Sequence, residues 1–310
     1  MEKSGDQPLM LLDSASLYFR AFYGVPDTLR SPDGKPVNAV RGLLDMIARL
    51  VGGRRPGGLV ACMDEDWRPA FRVEAIPSYK EHRVAPGSGG QQEVVPPALT
   101  AQIPLINEVL EAAGVACAGA PGYEADDVIG TLAARAGGPV EVVTGDRDLF
   151  QVVDDERGVR VLYTARGVGR LEVIDEAAVT ERYQIPGRAY AEFAALRGDP
   201  SDGLPGVPGI GAKTAATLVT RFGTVEAMLA ALEPGQEQAR RMLGSAAAKL
   251  SASRDYLQAA LPVVRVATDA PVAAADGRLP ANPDRDRLDA LGARWGLGAS
   301  LTRMLSMIAP

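Results

Sequence analysis

Cysteine is scarce in this chain of 310 residues: it has two, Cys62 and Cys117. Each lies in a short apolar run that reads as a strand, so buried free thiols are expected rather than a disulfide or a metal pair. Long apolar runs are missing too. No stretch approaches the roughly 20 apolar residues that a membrane helix needs. The first apolar run ends at Asp13 after only Leu9, Met10, Leu11 and Leu12, too short for a secretory signal. These absences predict a cytoplasmic protein with no membrane partner. No coiled-coil pattern or internal repeat is present, and a monomer is expected. Positive charge is not in excess: 33 Lys and Arg stand against 39 Asp and Glu, a net −6, which argues at first against a polyanionic partner. What remains is ordinary globular composition, 46% hydrophobic and 23% charged, long enough for one large domain or two smaller ones.

The acids are unevenly placed. Residues 122–148 read GYEADDVIGTLAARAGGPVEVVTGDRD. Val128, Ile129, Leu132, Ala133 and Ala136 recur at helical spacing, which puts Glu124, Asp126 and Asp127 at the first turn of an amphipathic helix. One or two acids there would merely complement the helix dipole; three exceed that need. A β-branched run at 140–144 then reads as a buried strand, broken by Gly145 just before Asp146 and Asp148. Like charges about 4 Å apart repel by roughly 4 kcal/mol at a surface-like dielectric, so five clustered carboxylates imply a cation. With no Cys or His among them, a hard ion such as Mg²⁺ or Mn²⁺ is expected.

The same pattern of apolar run followed by acid occurs at Asp13, after 9–12, and at Asp64, after 58–63, with helical periodicity between them at Val40, Leu43, Leu44, Ile47, Leu50 and Val51. Strands alternating with helices predict an α/β fold around a central, mostly parallel twisted sheet, with the acids at one sheet edge. Arg68, Arg72, Tyr79, Lys80, His82 and Arg83 follow Asp64. They are either a solvated charged loop or cations placed to hold phosphates beside the acids. Residues 84–97 are rich in Gly and Pro and predict a mobile surface loop. A helix over 99–113, strands at 115–118, 159–163 and 171–174, and a short helix at 190–196 follow. Beyond Phe222 the chain reads helical: a long segment over 236–260, a connector over 261–283 with one strand, and a closing helix over 288–308 in which Trp295 packs on the body.

Residues 196–223 read LRGDPSDGLPGVPGIGAKTAATLVTRFG. Asp199 and Asp202 can face the same way across a turn and add oxygen ligands. Gly206, Gly209 and Gly211, with Pro205 and Pro208, make a tight connection into a helix through Lys213, Thr214 and Leu218, and glycines there let backbone N–H groups approach a phosphate.

Together YEADD (123–127), TGDRDLFQ (144–151) and GDPSDGLPGVPGIGAKTA (198–215) resemble the 5′-nuclease family of flap endonucleases and the 5′-3′ exonuclease domain of bacterial DNA polymerase I. The likeness runs from Asp13 to about residue 261. It implies a PIN-like nuclease core over 1–180, with an arch-like loop at 84–97 through which a 5′ end passes. A helical region follows over 181–310, with a helix-three-turn-helix at 196–223. Asp13, Asp64, Glu124, Asp126, Asp127, Asp146, Asp148, Asp199 and Asp202 match the family's metal-binding acids, and setting these nine charges aside leaves the remainder at +3. Arg72, Lys80 and Arg83 match basic residues used near the scissile phosphate. Tyr79 and the run Gly206, Val207, Gly209, Ile210, Gly211, Lys213 and Thr214 match its DNA-binding positions, where relatives also hold a K⁺ on main-chain carbonyls. Gly203 stands where relatives commonly have Asn.

The resemblance implies an enzyme using two or more Mg²⁺ or Mn²⁺ ions as 5′-3′ exonuclease and flap endonuclease on DNA with 5′ flaps, overhangs or nicks, alongside a polymerase and a ligase. Too few residues follow for a polymerase domain, so a stand-alone nuclease is expected. The alternatives are a DNA-junction binding protein whose acids are structural, a shorter PIN-like ribonuclease, and a metal-dependent phosphatase.

Overall fold

The computed structural model describes residues 7–90, 92–274 and 277–309. Residues 1–6, which open the N-terminal stretch weighed above as a signal, lie outside it. So do Gln91 within the expected arch, residues 275–276 within the expected connector, and Pro310.

Among the described residues, six strands form one sheet: β1 (Leu9–Asp13), β2 (Gly58–Cys62), β3 (Ala116–Ala118), β4 (Val140–Thr144), β5 (Val159–Tyr163) and β6 (Glu172–Ile174), in the order β3-β2-β1-β4-β5-β6. All neighbours pair in parallel except β5 with β6. The expected α/β class is therefore present. β2 and β4 are buried along their whole length, because parallel sheets carry helices on both faces. Alternate side chains feed two cores. Leu11, Val60 and Val142 join the helices Ala125–Arg135, Tyr190–Arg197 and Arg254–Val264 on one face, whereas Met10, Leu12, Leu59 and Val143 join Asn38–Arg54, Ile103–Ala112 and Gly298–Ile308 on the other.

The chain leaves β1 toward β2 and β3, then returns to lay β4 on the other side of β1. That reversal opens a crevice at the carboxyl ends of β1 and β4, where ligands bind in open α/β sheets. Asp13 ends β1 and Asp146 follows β4 by two residues.

Several helix boundaries differ from expectation. The helix read over 99–113 is broken: Pro97–Thr100 precedes Ile103–Ala112, and between them the buried Gln102 accepts from Ala39 N at 2.9 Å and Val40 N at 3.3 Å, capping the start of Asn38–Arg54. The segment read over 236–260 is three helices, Glu237–Leu243, Ala246–Ala252 and Arg254–Val264, interrupted at Gly244 (φ 56°) and Ser253. The closing helix is likewise two, Arg285–Trp295 and Gly298–Ile308, because Gly296 turns left-handed at φ 64°. Trp295 packs against the second core, with the Lys35 ammonium 5.1 Å from its ring centre. The described connector begins as the end of the helix Arg254–Val264 and then carries an isolated bridge, Gly58 with Arg278, and no strand. Cys62 is buried, but Cys117 on the edge strand β3 is exposed, which corrects the reading of two buried thiols.

Candidate active site

A cleft of about 1670 Å³ opens over the carboxyl ends of β1, β2 and β4, lined by Asp13, Asp64, Glu124, Asp126, Asp146, Lys80 and Arg83 among others. Local chemistry fixes each acid. Asp13 caps the helix Ser14–Gly24 by accepting from Ser16 N at 3.1 Å, and its other oxygen accepts from Thr144 Oγ1 at 2.6 Å. Thr144 Oγ1 in turn accepts from Asp146 N at 2.9 Å, so the ends of β1 and β4 are tied through one hydroxyl. Asp64 accepts from Ala125 N at 2.7 Å and thereby holds the acidic helix start beside β2. Asp146 accepts from Asp148 N at 2.9 Å.

The electrostatics follow from crowding. Burial first, and then the charges of Asp64 and Asp146, push the Asp13 carboxyl up to about 7 against the lowering effect of Thr144. Burial together with Asp146 and Asp13 holds Asp126 well above the carboxylate range, and burial with Asp146, Asp202 and Asp199 does the same to Asp148. Asp202 is pushed up to about 6 by burial despite Lys80. Asp148, Asp199 and Asp202 thus sit next to the cleft acids, on the side of residues 196–223. Among the described residues, no group of three or more His, Cys, Asp or Glu closes into a ready metal cage; the acids ring an open cleft instead.

Two acids of the expected metal set are already engaged by other donors. Asp127 is fully buried. Its Oδ1 accepts from Arg72 Nη2 at 2.7 Å and Ala267 N at 2.8 Å, and its Oδ2 from Arg72 Nη1 at 2.8 Å and Glu124 N at 3.2 Å. Four donors occupy its lone pairs, leaving no room for a cation. Asp199 accepts from Ser201 N at 2.9 Å, from the Ser201 hydroxyl and from Arg197 Nη2 at 3.2 Å, and so stabilises its own turn.

The basic residues divide in the same way. Lys80 Nζ donates to Glu124 Oε2 at 2.6 Å, with its backbone left-handed at φ 48°. Burial disfavours its ammonium, yet Glu124 outweighs that and holds its pKa well above the usual lysine value. Arg83 Nη2 donates to Ser201 O at 2.9 Å and Asp202 Oδ1 at 3.2 Å. Arg72, expected near the phosphate, is instead buried, gripping Asp127 and donating to Val263 O at 3.1 Å. Tyr79, expected on DNA, is buried and donates to Glu124 Oε1 at 2.8 Å.

In the turn at 206–214, Gly209, Gly211, Lys213 and Thr214 are exposed, whereas Gly206, Val207 and Ile210 are buried. The side chains of Val207 and Ile210 belong to the core, and Gly206 N donates to Tyr256 OH at 3.0 Å. The expected mobile loop is laced at its base: Ala85 N donates to Gln92 O at 2.8 Å and Val94 N to Arg83 O at 2.8 Å.

Residues 14–24 carried a missed element. The helix Ser14–Gly24 brings Ser16, Tyr18 and Arg20 to the cleft, where Ser16 Oγ accepts from Gly145 N at 2.9 Å and the Arg20 Nε is buried without an acceptor among the described residues. Asp13 as a helix cap followed by Leu17 and Ala21 at helical spacing was the available signal.

The 5′-3′ exonuclease N-terminal resolvase-like domain matches residues 8–184, and the 5′-3′ exonuclease C-terminal SAM fold matches residues 185–286. The chain belongs to the 5′-3′ exonuclease family. A 5′-3′ exonuclease of Streptomyces coelicolor is 57% identical over 302 residues, covering 96% of this chain and 99% of that protein. A namesake from Mycobacterium tuberculosis is 52% identical over 309 residues, covering 96% of each. The bacteriophage T5 flap endonuclease, solved with DNA and metal ions, superposes with a TM-score of 0.62 at 20% identity, covering 97% of this chain and 98% of that one. That last likeness concerns the fold alone. The 5′-3′ exonuclease family is one of nucleases, and this member is a phosphodiester hydrolase.

Proposed function

We propose that the chain is a divalent-metal-dependent 5′-3′ exonuclease and flap endonuclease acting on DNA with 5′ flaps, overhangs or nicks, beside a polymerase and a ligase. The observation that carries this reading is the convergence of Asp13, Asp126 and Asp146 with Lys80 and Arg83 on one cleft. The donor set fits hard ions: oxygen ligands, none from sulfur or imidazole, whose mutual repulsion a divalent cation would relieve. An open ring of acids suits ions such as Mg²⁺ that keep several waters. Asp13, Asp64, Asp126, Asp146 and Asp148 would hold them directly or through water, with Glu124 and Asp202 at the margin. Bound there, the ions would supply an attacking water of lowered pKa and positive charge to offset the negative charge building on the scissile phosphate.

The chain's own residues do the rest. Lys80, fixed by Glu124, and Arg83, fixed by Asp202 and Ser201 O, hold the scissile phosphate and offset the charge that builds on it. The exposed backbone at Gly209 and Gly211, with Lys213 and Thr214, holds the duplex by its phosphates without reading bases.

The test is a duplex with a 5′-labelled single-stranded flap, incubated with Mg²⁺ or Mn²⁺ and with chelator. A metal-dependent product about as long as the flap marks junction cleavage, and mononucleotides mark exonuclease action. Binding with no metal-dependent product at all would replace this reading by that of a DNA-junction binding protein.

A further inference from the structure

The family resemblance places a K⁺ on main-chain carbonyls of the turn at 206–214. In this chain a covalently attached cation already stands there. Lys249, on the helix Ala246–Ala252, reaches across to the turn, and its Nζ donates to Gly209 O at 2.7 Å. Gly209 is what admits it. A Cβ at that position would lie 3.0 Å from Lys249 Nζ and 3.3 Å from its Cε, and the backbone is left-handed at φ 76°. Neighbouring carbonyls are engaged too: Val207 O accepts from Ile210 N at 2.9 Å and Gly211 O from Ala215 N at 3.0 Å. A second cation drawn to Gly209 O would meet the ammonium at close range and be repelled. Gly209 O, at least, therefore does not fit a monovalent ion.

We propose that the Lys249 ammonium does the work of that ion. It satisfies the Gly209 carbonyl, fixes the turn, and sets a permanent positive charge beside the exposed backbone of residues 211–214, where the helix Ala212–Phe222 begins without a side-chain cap. Two of its three N–H donors remain for a phosphate oxygen or for water. Because the charge is tethered, the grip on duplex DNA is independent of which monovalent cation is in solution. The inference rests on the reading that residues 206–214 hold duplex backbone.

Binding of a fluorescently labelled nicked duplex is measured by anisotropy with Ca²⁺ in place of the catalytic ion, at one ionic strength set by KCl, NaCl, LiCl or choline chloride. Wild-type Kd should stay within about twofold across the four salts. Lys249→Met should bind roughly tenfold more weakly, lose about one unit of salt slope, and recover part of its affinity in KCl but not in choline chloride. Lys249→Arg should keep the indifference to cation, and thermal melts of both variants separate loss of binding from loss of fold. A wild-type Kd that worsens fivefold or more when K⁺ is withdrawn overturns the inference, as does a folded Lys249→Met with wild-type affinity. Wild-type protein that binds no duplex in any salt overturns the reading of the turn itself, and the inference with it.

Discussion

Arg72 and Asp127 form a two-pronged pair, with N–H···O distances of 2.8 and 2.7 Å, buried beneath the acids of the cleft. The pair joins the helix Ala70–Ala75 to the acidic helix start, through Val263 O to the end of the helix Arg254–Val264, and through Ala267 N to the segment after it. Its role is to set Glu124 and Asp126 in place. Removing one partner strands a buried charge, so Arg72→Met should lower stability by about 3–5 kcal/mol. Arg72→Met with Asp127→Asn should recover part of the loss, because no charge is then left buried without its partner. Urea unfolding measures both; a single variant within about 1 kcal/mol of wild type would contradict the buried-pair account.

Asp126 and Asp127 are adjacent in sequence, but Asp126 lines the cleft and Asp127 is buried against Arg72. Asp126→Asn or Asp146→Asn should raise the metal concentration for half-maximal cleavage at least tenfold, with duplex binding retained, because an amide is a poorer ligand for a hard cation. Asp127→Asn should leave that concentration within about twofold and reduce thermal stability instead. The measurement is a Mg²⁺ titration of flap cleavage. Equal metal responses from Asp126→Asn and Asp127→Asn would refute this division of the acids.

Gly203 lies so close to Ser78 that a Cβ would strike the Ser78 carbonyl, and its φ is 74°. The same clasp includes Ser78 Oγ donating to Gly203 O at 2.9 Å and Lys80 N donating to Asp202 O at 3.0 Å. Gly203→Ala should push the 78–80 turn and displace Lys80. A shift near 1 Å costs on the order of 10²-fold in kcat, while binding at the 206–214 turn stays intact. Single-turnover cleavage at saturating enzyme reads this directly, and an unchanged rate would show the clasp to be structural only.

Lys80→Met should lower the single-turnover rate by roughly 10²–10³-fold, the cost of losing one preorganised donor at a charged transition state. Arg83→Met should cost less, since Arg83 is shared with Ser201 O and Asp202. A Lys80→Met enzyme at full rate would remove Lys80 from the phosphate site.

The cleft acids make the metal-free protein sensitive to base. Asp13 is pushed up to about 7 and Asp202 to about 6, in both cases mainly by burial. Their folded-state pKa values exceed those of the unfolded chain, so the folded chain holds protons that the unfolded chain has released. Stability therefore falls as pH rises from about 4 to about 7, and the full loss persists above that range. Without divalent ions the melting temperature should be at least roughly 5 °C higher near pH 5.5 than near pH 8, and Mg²⁺ should raise it most at the higher pH, where no proton competes. Melting curves insensitive to both pH and Mg²⁺ would show that the acids do not crowd as described.

Much of this protein is legible in its residues alone. Apolar runs ending at Asp13, Asp64 and Asp146 define strands whose carboxyl ends lie together, because parallel strands joined by helical crossovers all point one way. The motifs at 123–127, 144–151 and 198–215 identify the family before any coordinate is known. Local sequence could not tell Asp126 from Asp127, or Lys80 from Arg72. The members of each pair carry the same charge, and partners 55 to 191 residues away decide which faces the cleft and which is buried. The sealing of Tyr79 under Glu124 and the reach of Lys249 to Gly209 are likewise products of tertiary packing. A side chain's ligand depends on what the fold brings within about 3 Å of it, and spacing along the chain does not encode that distance.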